Sequence, residues 1–191
     1  MTVLSNCKMT TNEKIIEILK RHPEGGEKFS MLLTLMLRSD QSIGQAFVDW
    51  VCNYDFMYMQ VPVVGADYTT QLSMNSQGIG VVVTGRFGHY LMSNFAKQLT
   101  KTFGDIIVVN GGIREGEQPE IFKTSLIPYS YYILLDDSYY SGTTANSIAK
   151  ALQRIDPNAC LVQAFVVYDG SKENKNLVKS MFRYYGEEET D

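Results

Sequence analysis

The chain has 191 residues, 45% of them apolar and 12% aromatic, with a formal net charge of −4. That balance fits one globular domain with a full core and excludes a disordered chain. With no block of like charge beyond Glu187-Glu188-Glu189, it also lacks the basic footprint that nucleic acid would demand.

Residues 1–9 read as a loose lead-in. Thr10 and Glu13 have capping-box spacing ahead of Ile15, Ile16 and Leu19, and His22-Pro23 with Gly25-Gly26 end that helix. Phe29, Leu32, Leu33, Met36 and Leu37 recur at helical spacing, as do Ile43, Phe47, Trp50 and Val51. Met31, Met36 and Trp50 in these stripes are expected in the core. The three helices are expected to pack on the domain or to form part of a cap or oligomer surface. Tyr54 to Val64 is β-prone, with Pro62 and Gly65 as breakers, and reads as one or two strands of an accessory segment.

Ile79-Gly80-Val81-Val82-Val83-Thr84 predicts a short buried strand, followed by a Gly85-Arg86-Phe87-Gly88 loop and a helix carrying Leu91, Phe95 and Leu99. Gly104 ends that helix, and residues 105–109 predict the next strand. Residues 110–131, with Gly111-Gly112, Arg114, Pro119 and Lys123, are polar and long enough for a mobile lid. An apolar run from Tyr132 then ends in Asp136-Asp137, and Ser141-Gly142-Thr143-Thr144 opens a helix bearing Ala145, Ile148, Ala149, Leu152 and Ile155. Ala159 to Tyr168 is another strand, ending in Asp169-Gly170-Ser171. Leu177, Val178 and Met181 predict a last short helix. Strands alternating with helices imply crossovers and a parallel sheet. Ligands of such sheets bind at the carboxyl ends of the strands, where both glycine-bearing turns lie.

An apolar strand, two acidic residues, a short spacer and a Ser-Gly-Thr-Thr turn resemble the phosphoribosyl-diphosphate (PRPP) motif of type I phosphoribosyltransferases. The likeness spans about residues 79–170 and is specific at 133–144; the end of the 159–168 strand loosely resembles orotate-type members. The resemblance implies a Rossmann-like parallel sheet flanked by helices. Residues 1–72 would form an N-terminal helical extension and small hood, and 73–191 the core. It implies transfer of the phosphoribosyl group from PRPP to a nitrogenous base, with Mg²⁺ as cofactor and pyrophosphate released. Asp136 and Asp137 would contact the ribose hydroxyls and support the metal, directly or through water. Ser141, Gly142, Thr143 and Thr144 would hold the 5′-phosphate. Thr84, Gly85, Arg86, Phe87 and Gly88 would hold pyrophosphate, Arg114 and Lys123 would lie on the lid, and a homodimer would follow by analogy.

The spacer departs from the family pattern. Where 6-oxopurine enzymes carry an aspartate base, this chain has Tyr140, a poor base at the usual phenol pKa, which argues against a hypoxanthine or guanine enzyme. Tyr139 and Tyr140 are candidate base contacts, or packing beneath the turn. The competing function is a non-catalytic sensor of PRPP or nucleotides on the same fold. A P-loop kinase is disfavoured, because no Walker lysine follows a glycine-rich loop.

Other chemistries have little support. Cys7, Cys52 and Cys160 form no Cys-x-x-Cys pair, so a disulfide framework or zinc site is not expected. His22 and His89 are too few for a three-histidine metal centre. No apolar run reaches signal-peptide or membrane-spanning length, so a cytoplasmic protein without a membrane partner is expected.

Overall fold

The computed structural model describes residues 13, 17–18, 21, 27–56, 59–62, 69–72, 78–109, 129–171 and 177–183. Glu13, Glu17, Ile18 and Arg21 are helical, and Arg21 pairs with Glu17 one turn earlier. Helices α1 (Glu27–Ser39) and α2 (Gln41–Cys52) follow. Strands β1 (Met59–Pro62) and β2 (Thr69–Leu72) form an antiparallel pair. The remaining elements are β3 (Ile79–Thr84), α3 (Gly85–Phe103), β4 (Ile106–Val109), β5 (Tyr131–Tyr139), α4 (Thr143–Ile155), β6 (Cys160–Asp169) and β7 (Val178–Arg183).

The main sheet has five strands in the order β4-β3-β5-β6-β7, and every pairing is parallel. Counting only these strands along the chain, the order is 2-1-3-4-5, a doubly wound sheet whose winding reverses between β3 and β5. The fold class is therefore the α/β arrangement that the sequence predicts. Strands β3 and β6 are buried almost throughout, which is why both read as near-continuous apolar runs.

Alternating side chains divide the core in two. Val81, Val83, Ile133, Leu135, Phe165 and Val167 face α1, α2 and α3 across an aromatic layer that includes Phe29, Phe47, Phe87 and Phe103. Val82, Leu134, Ala164 and Val166 face α4, which meets them with Ala145, Ile148 and Leu152. On the first face Phe47 stacks edge-on against Phe87 at 5.4 Å and Trp50 against Phe165 at 5.3 Å. Such pairs add about 0.5–1.5 kcal/mol each beyond the area they bury. The N-terminal helices are thus part of the core: α1 and α2 pack on α3, and α1 also reaches β5.

Three expectations need correction. Residues 178–183 form a strand, not a helix. A helix there would be under two turns, whereas alignment beside β6 gives the backbone a ladder, joined by the Ala164 N–H donating to the Leu177 carbonyl at 2.8 Å. Met31 is not core: it is 40% exposed, with Leu35 beside it at 53%. Phe29, Leu33 and Leu37 take the buried stripe, and Met31 lies about 200° around the helix from Phe29. Third, residues 85–88 are no loop, because β3 runs straight into the first turn of α3. Of the expected lid at 110–131, residues 110–128, with Arg114 and Lys123, lie outside the described residues, as do Thr10, Ile15, Ile16 and Leu19, and Tyr131 already belongs to β5.

Candidate functional site

The β3/β5 reversal brings two strand ends side by side. Val83 is in register with Leu135, which sets Thr84 beside Asp136. Thr84 is buried, and its side-chain hydroxyl is close enough to the Asp136 carboxyl to lower its pKa. A crevice outside these ends is where doubly wound sheets take ligands, because the helices leave the two strands on opposite faces.

The two aspartates differ in surroundings. Strand alternation turns Asp137 toward the α1 face, with Ile133 and Leu135. There Ser30 of α1 donates to Asp137 Oδ2, and Ser138 Oγ donates to Oδ1 at 2.8 Å. Only 6% of Asp137 is exposed. Asp136 turns the other way and keeps some exposure, and its Oδ1 accepts the Asp137 N–H at 3.0 Å. Lost hydration, then repulsion from Asp137, pushes the Asp136 carboxyl well above the usual carboxylate range; the Asp137 N–H and the Thr84 hydroxyl only partly oppose this. Burial also raises Asp137, against the pull of its Ser30 and Ser138 hydrogen bonds. Like charges this close resist ionising together, and a cation arriving beside them would lower both.

The turn after β5 is built for a close backbone approach. Gly142 is the N-cap of α4 at φ +81, and a Cβ there would come 2.5 Å from the Tyr139 hydroxyl. The site therefore needs glycine on both conformational and steric grounds. Ser141 Oγ and Thr143 Oγ1 lie 2.8 Å apart, and Ser141 Oγ also accepts the Thr143 N–H at 3.4 Å, while the cap residue, Gly142, has no side chain to offer. Helix α3 likewise gets no bond from its cap residue: Thr84 is its N-cap and makes no cap hydrogen bond, and Gly85 sits at φ 56. Two helix N-termini thus open beside the acidic pair. Their first-turn N–H groups and the positive ends of their dipoles suit a polyanion.

The other expected contacts divide. Arg86 is exposed in the first turn of α3. Phe87 is buried against Phe47 and Tyr90, so it offers a ligand only backbone. Gly88 lets α3 press on β3, with a Cβ there only 3.0 Å from the Val83 carbonyl carbon. Tyr139 is 7% exposed beneath Gly142. The Tyr140 ring packs against Tyr168 at 5.6 Å and edge-on to Phe29 at 6.2 Å. Burial drives the Tyr140 phenol far above its ordinary pKa, with Tyr168 the next contributor. Asp169, at the end of β6, is buried and accepts from Ser171 N–H at 2.9 Å and Ser171 Oγ at 2.6 Å, with Arg183 Nε at 3.5 Å.

Sequence reasoning missed Ser30. Nothing in its own stretch marks it, since it sits between the buried Phe29 and the exposed Met31 on a helix that reads as packing. Among the described residues no three metal-ligating side chains converge. A pair of carboxylates suits Mg²⁺, which keeps waters and takes phosphate oxygens from a substrate rather than sitting in an all-protein cage. No helix among the described residues is long and apolar enough to cross a membrane.

No family model matches the chain, and no curated protein matches it. Among solved structures it is similar to an orotate phosphoribosyltransferase from Aeropyrum pernix, at 16% identity and TM-score 0.40, over 71% of this chain and 64% of that one. It is similar to a purine phosphoribosyltransferase from Pyrococcus horikoshii Ot3, at 13% identity and TM-score 0.43, over 75% and 84% of the two chains. A phosphoribosyltransferase from Corynebacterium diphtheriae matches at 16% identity and TM-score 0.36, over 82% and 83%. The chain thus spans less than two thirds of the orotate enzyme's length.

Proposed function

We propose that the protein is a Mg²⁺-dependent phosphoribosyltransferase that moves the 5-phosphoribosyl group of PRPP to a ring nitrogen of a base. One observation carries the reading: an acidic pair and a Ser-Gly-Thr-Thr helix start sit at the strand reversal, with Asp136 set beside Thr84 at the end of the neighbouring strand. In this reaction the bond from C1 of the ribose to the pyrophosphate oxygen breaks, a C1–N bond forms, and the ring nitrogen's proton passes to solvent or a base. Positive charge grows on the sugar while negative charge leaves with pyrophosphate, so the protein's work is positioning and electrostatic.

The residues take roles by place. Ser141 to Thr144 hold the 5′-phosphate with hydroxyls and the α4 N-terminus. Thr84 to Gly88 offer the α3 N-terminus and Arg86 to the pyrophosphate. Asp136 of the acidic pair holds the ribose hydroxyls and steadies Mg²⁺, while Asp137 is held by Ser30 and Ser138. Bound there, Mg²⁺ supplies charge neutralisation for the departing pyrophosphate.

A second reading, a non-catalytic sensor of PRPP or nucleotide, is favoured by the packing of Tyr139 beneath Gly142, which leaves that ring no open stacking face for a base, and by the half-buried Tyr140 ring lying against Tyr168. Pyrophosphate release from PRPP and Mg²⁺ across purine, pyrimidine and pyridine bases separates the two. Base-dependent release that vanishes in Asp136→Asn is the expected result. Tight PRPP binding without turnover on any base selects the sensor, and no PRPP binding defeats both.

A further inference from the structure

We infer that Ser30 and Asp137 form a catch fixing α1 to the acidic end of β5, and that Asp136 is the one carboxylate of the pair turned to the ligand. The ligand half of this inference rests on the phosphoribosyl reading; the catch does not. Both oxygens of Asp137 are occupied by protein hydroxyls, Oδ2 by Ser30 and Oδ1 by Ser138. The side chain is on the α1 face and 6% exposed, so a ribose or a hydrated metal has little access to it while those donors hold it. Asp136 keeps exposure on the opposite face; its Oδ1 accepts the neighbouring backbone N–H, and the Thr84 hydroxyl also lowers its pKa.

The α1 side is equally specified. Phe29, next to Ser30, is fully buried and lies 5.5 Å from Tyr168, which sets the rotation of the helix. Thr34 is 4% exposed, and its hydroxyl donates to the Ser30 carbonyl at 2.8 Å, bracing the turn that carries Ser30. A hydroxyl held this way organises a buried carboxylate, because hydrogen bonds to charged groups are stronger than neutral ones. Ser30 is therefore a positioning residue, acting through Asp137.

Two measurements on the full chain test this. The first is thermal melting, without ligand, of the wild type, Ser30→Ala, Asp137→Ala, the double variant and Ser30→Thr. Ser30→Ala is expected to lower the melting temperature by about 3–6 °C. It should cost almost nothing further once Asp137 is gone, and Ser30→Thr, which keeps the hydroxyl, should restore the wild-type value. Additive losses, or no rescue by threonine, overturn the catch. If Asp137→Ala does not fold, the alanine and threonine variants at Ser30 decide it alone.

The second is equilibrium binding of PRPP with Mg²⁺. Asp136→Asn should lose about 100-fold in affinity, while Asp137→Asn and Ser30→Ala lose no more than about tenfold. Equal losses in Asp136→Asn and Asp137→Asn overturn the division of the pair. A wild type that binds no PRPP overturns the ligand role of Asp136 together with the phosphoribosyl reading. The melting series would still decide the catch.

Discussion

Helix α2 begins at Asp40, whose carboxylate accepts the Ser42 N–H at 3.0 Å, whereas α3 and α4 begin at Thr84 and Gly142 with no such bond from the cap residue. Helix α2 lies away from the strand ends and is closed by its own sequence. The other two open where the sheet winding reverses. Thr84 is a residue type that caps well, yet its hydroxyl makes no cap bond and lies near enough to Asp136 to lower the pKa of that carboxyl. The α2 start is satisfied by its own cap residue, whereas the α3 and α4 starts beside the acidic pair receive no such bond from theirs, and at α4 the Thr143 N–H finds a local acceptor in Ser141 Oγ at 3.4 Å.

Gly142→Ala tests the α4 start most severely. The residue sits at φ +81 with the Tyr139 hydroxyl 2.5 Å from any Cβ. Backbone strain and overpacking together predict a loss of about 2–4 kcal/mol in urea unfolding, with PRPP binding lost as the α4 start shifts. A cost below about 1 kcal/mol would mean that the turn is not held by this geometry.

The next effect has the opposite sign. Asp136 is raised in the folded state, so the folded protein holds a proton that the unfolded chain releases above the ordinary carboxyl pKa of 3.8. Its contribution to stability is fully present below that value and is lost as pH rises through the raised folded pKa. Asp136→Asn removes the penalty. Near neutral pH it should melt higher than the wild type, and the difference should close as pH falls toward 3.8. Superimposable melting curves at every pH would contradict this. Binding of Mg²⁺-PRPP should run the other way in the wild type, tightening as pH rises through the same range, because the ligand favours the ionised pair.

The smallest effect belongs to α2. Asp40→Ala removes a side-chain cap and should cost about 1 kcal/mol, with PRPP affinity unchanged. A fall in affinity would erase the contrast between structural and ligand-facing helix starts.

Much of this arrangement is legible in the sequence because it is local. The runs at 79–84, 106–109, 133–139 and 160–169 carry their own apolar signature, and Asp136-Asp137 with Ser141 to Thr144 carry the motif. What was not legible is non-local. Strand β7 exists because β6 offers it an edge, not because residues 178–183 alternate cleanly. Met31 and Leu35 lie opposite a stripe already complete at Phe29, Leu33 and Leu37, which an apolar count cannot tell from core. The split between the aspartates depends on which face of β5 meets α1. That is a property of the packed sheet, and no spacing in the motif encodes it.

The Ser30–Asp137 contact joins residues 107 positions apart in the chain. During synthesis, Ser30 leaves the ribosome well before β5 exists, so α1 has no acidic partner until most of the sheet has been made. Closing so long a loop costs chain entropy before any contact offsets it. The acidic end of β5 is therefore completed late, by the docking of an early helix. A truncated or stalled chain ending before residue 137 would carry α1 with its hydroxyl unmet and the ligand end of the sheet unbuilt.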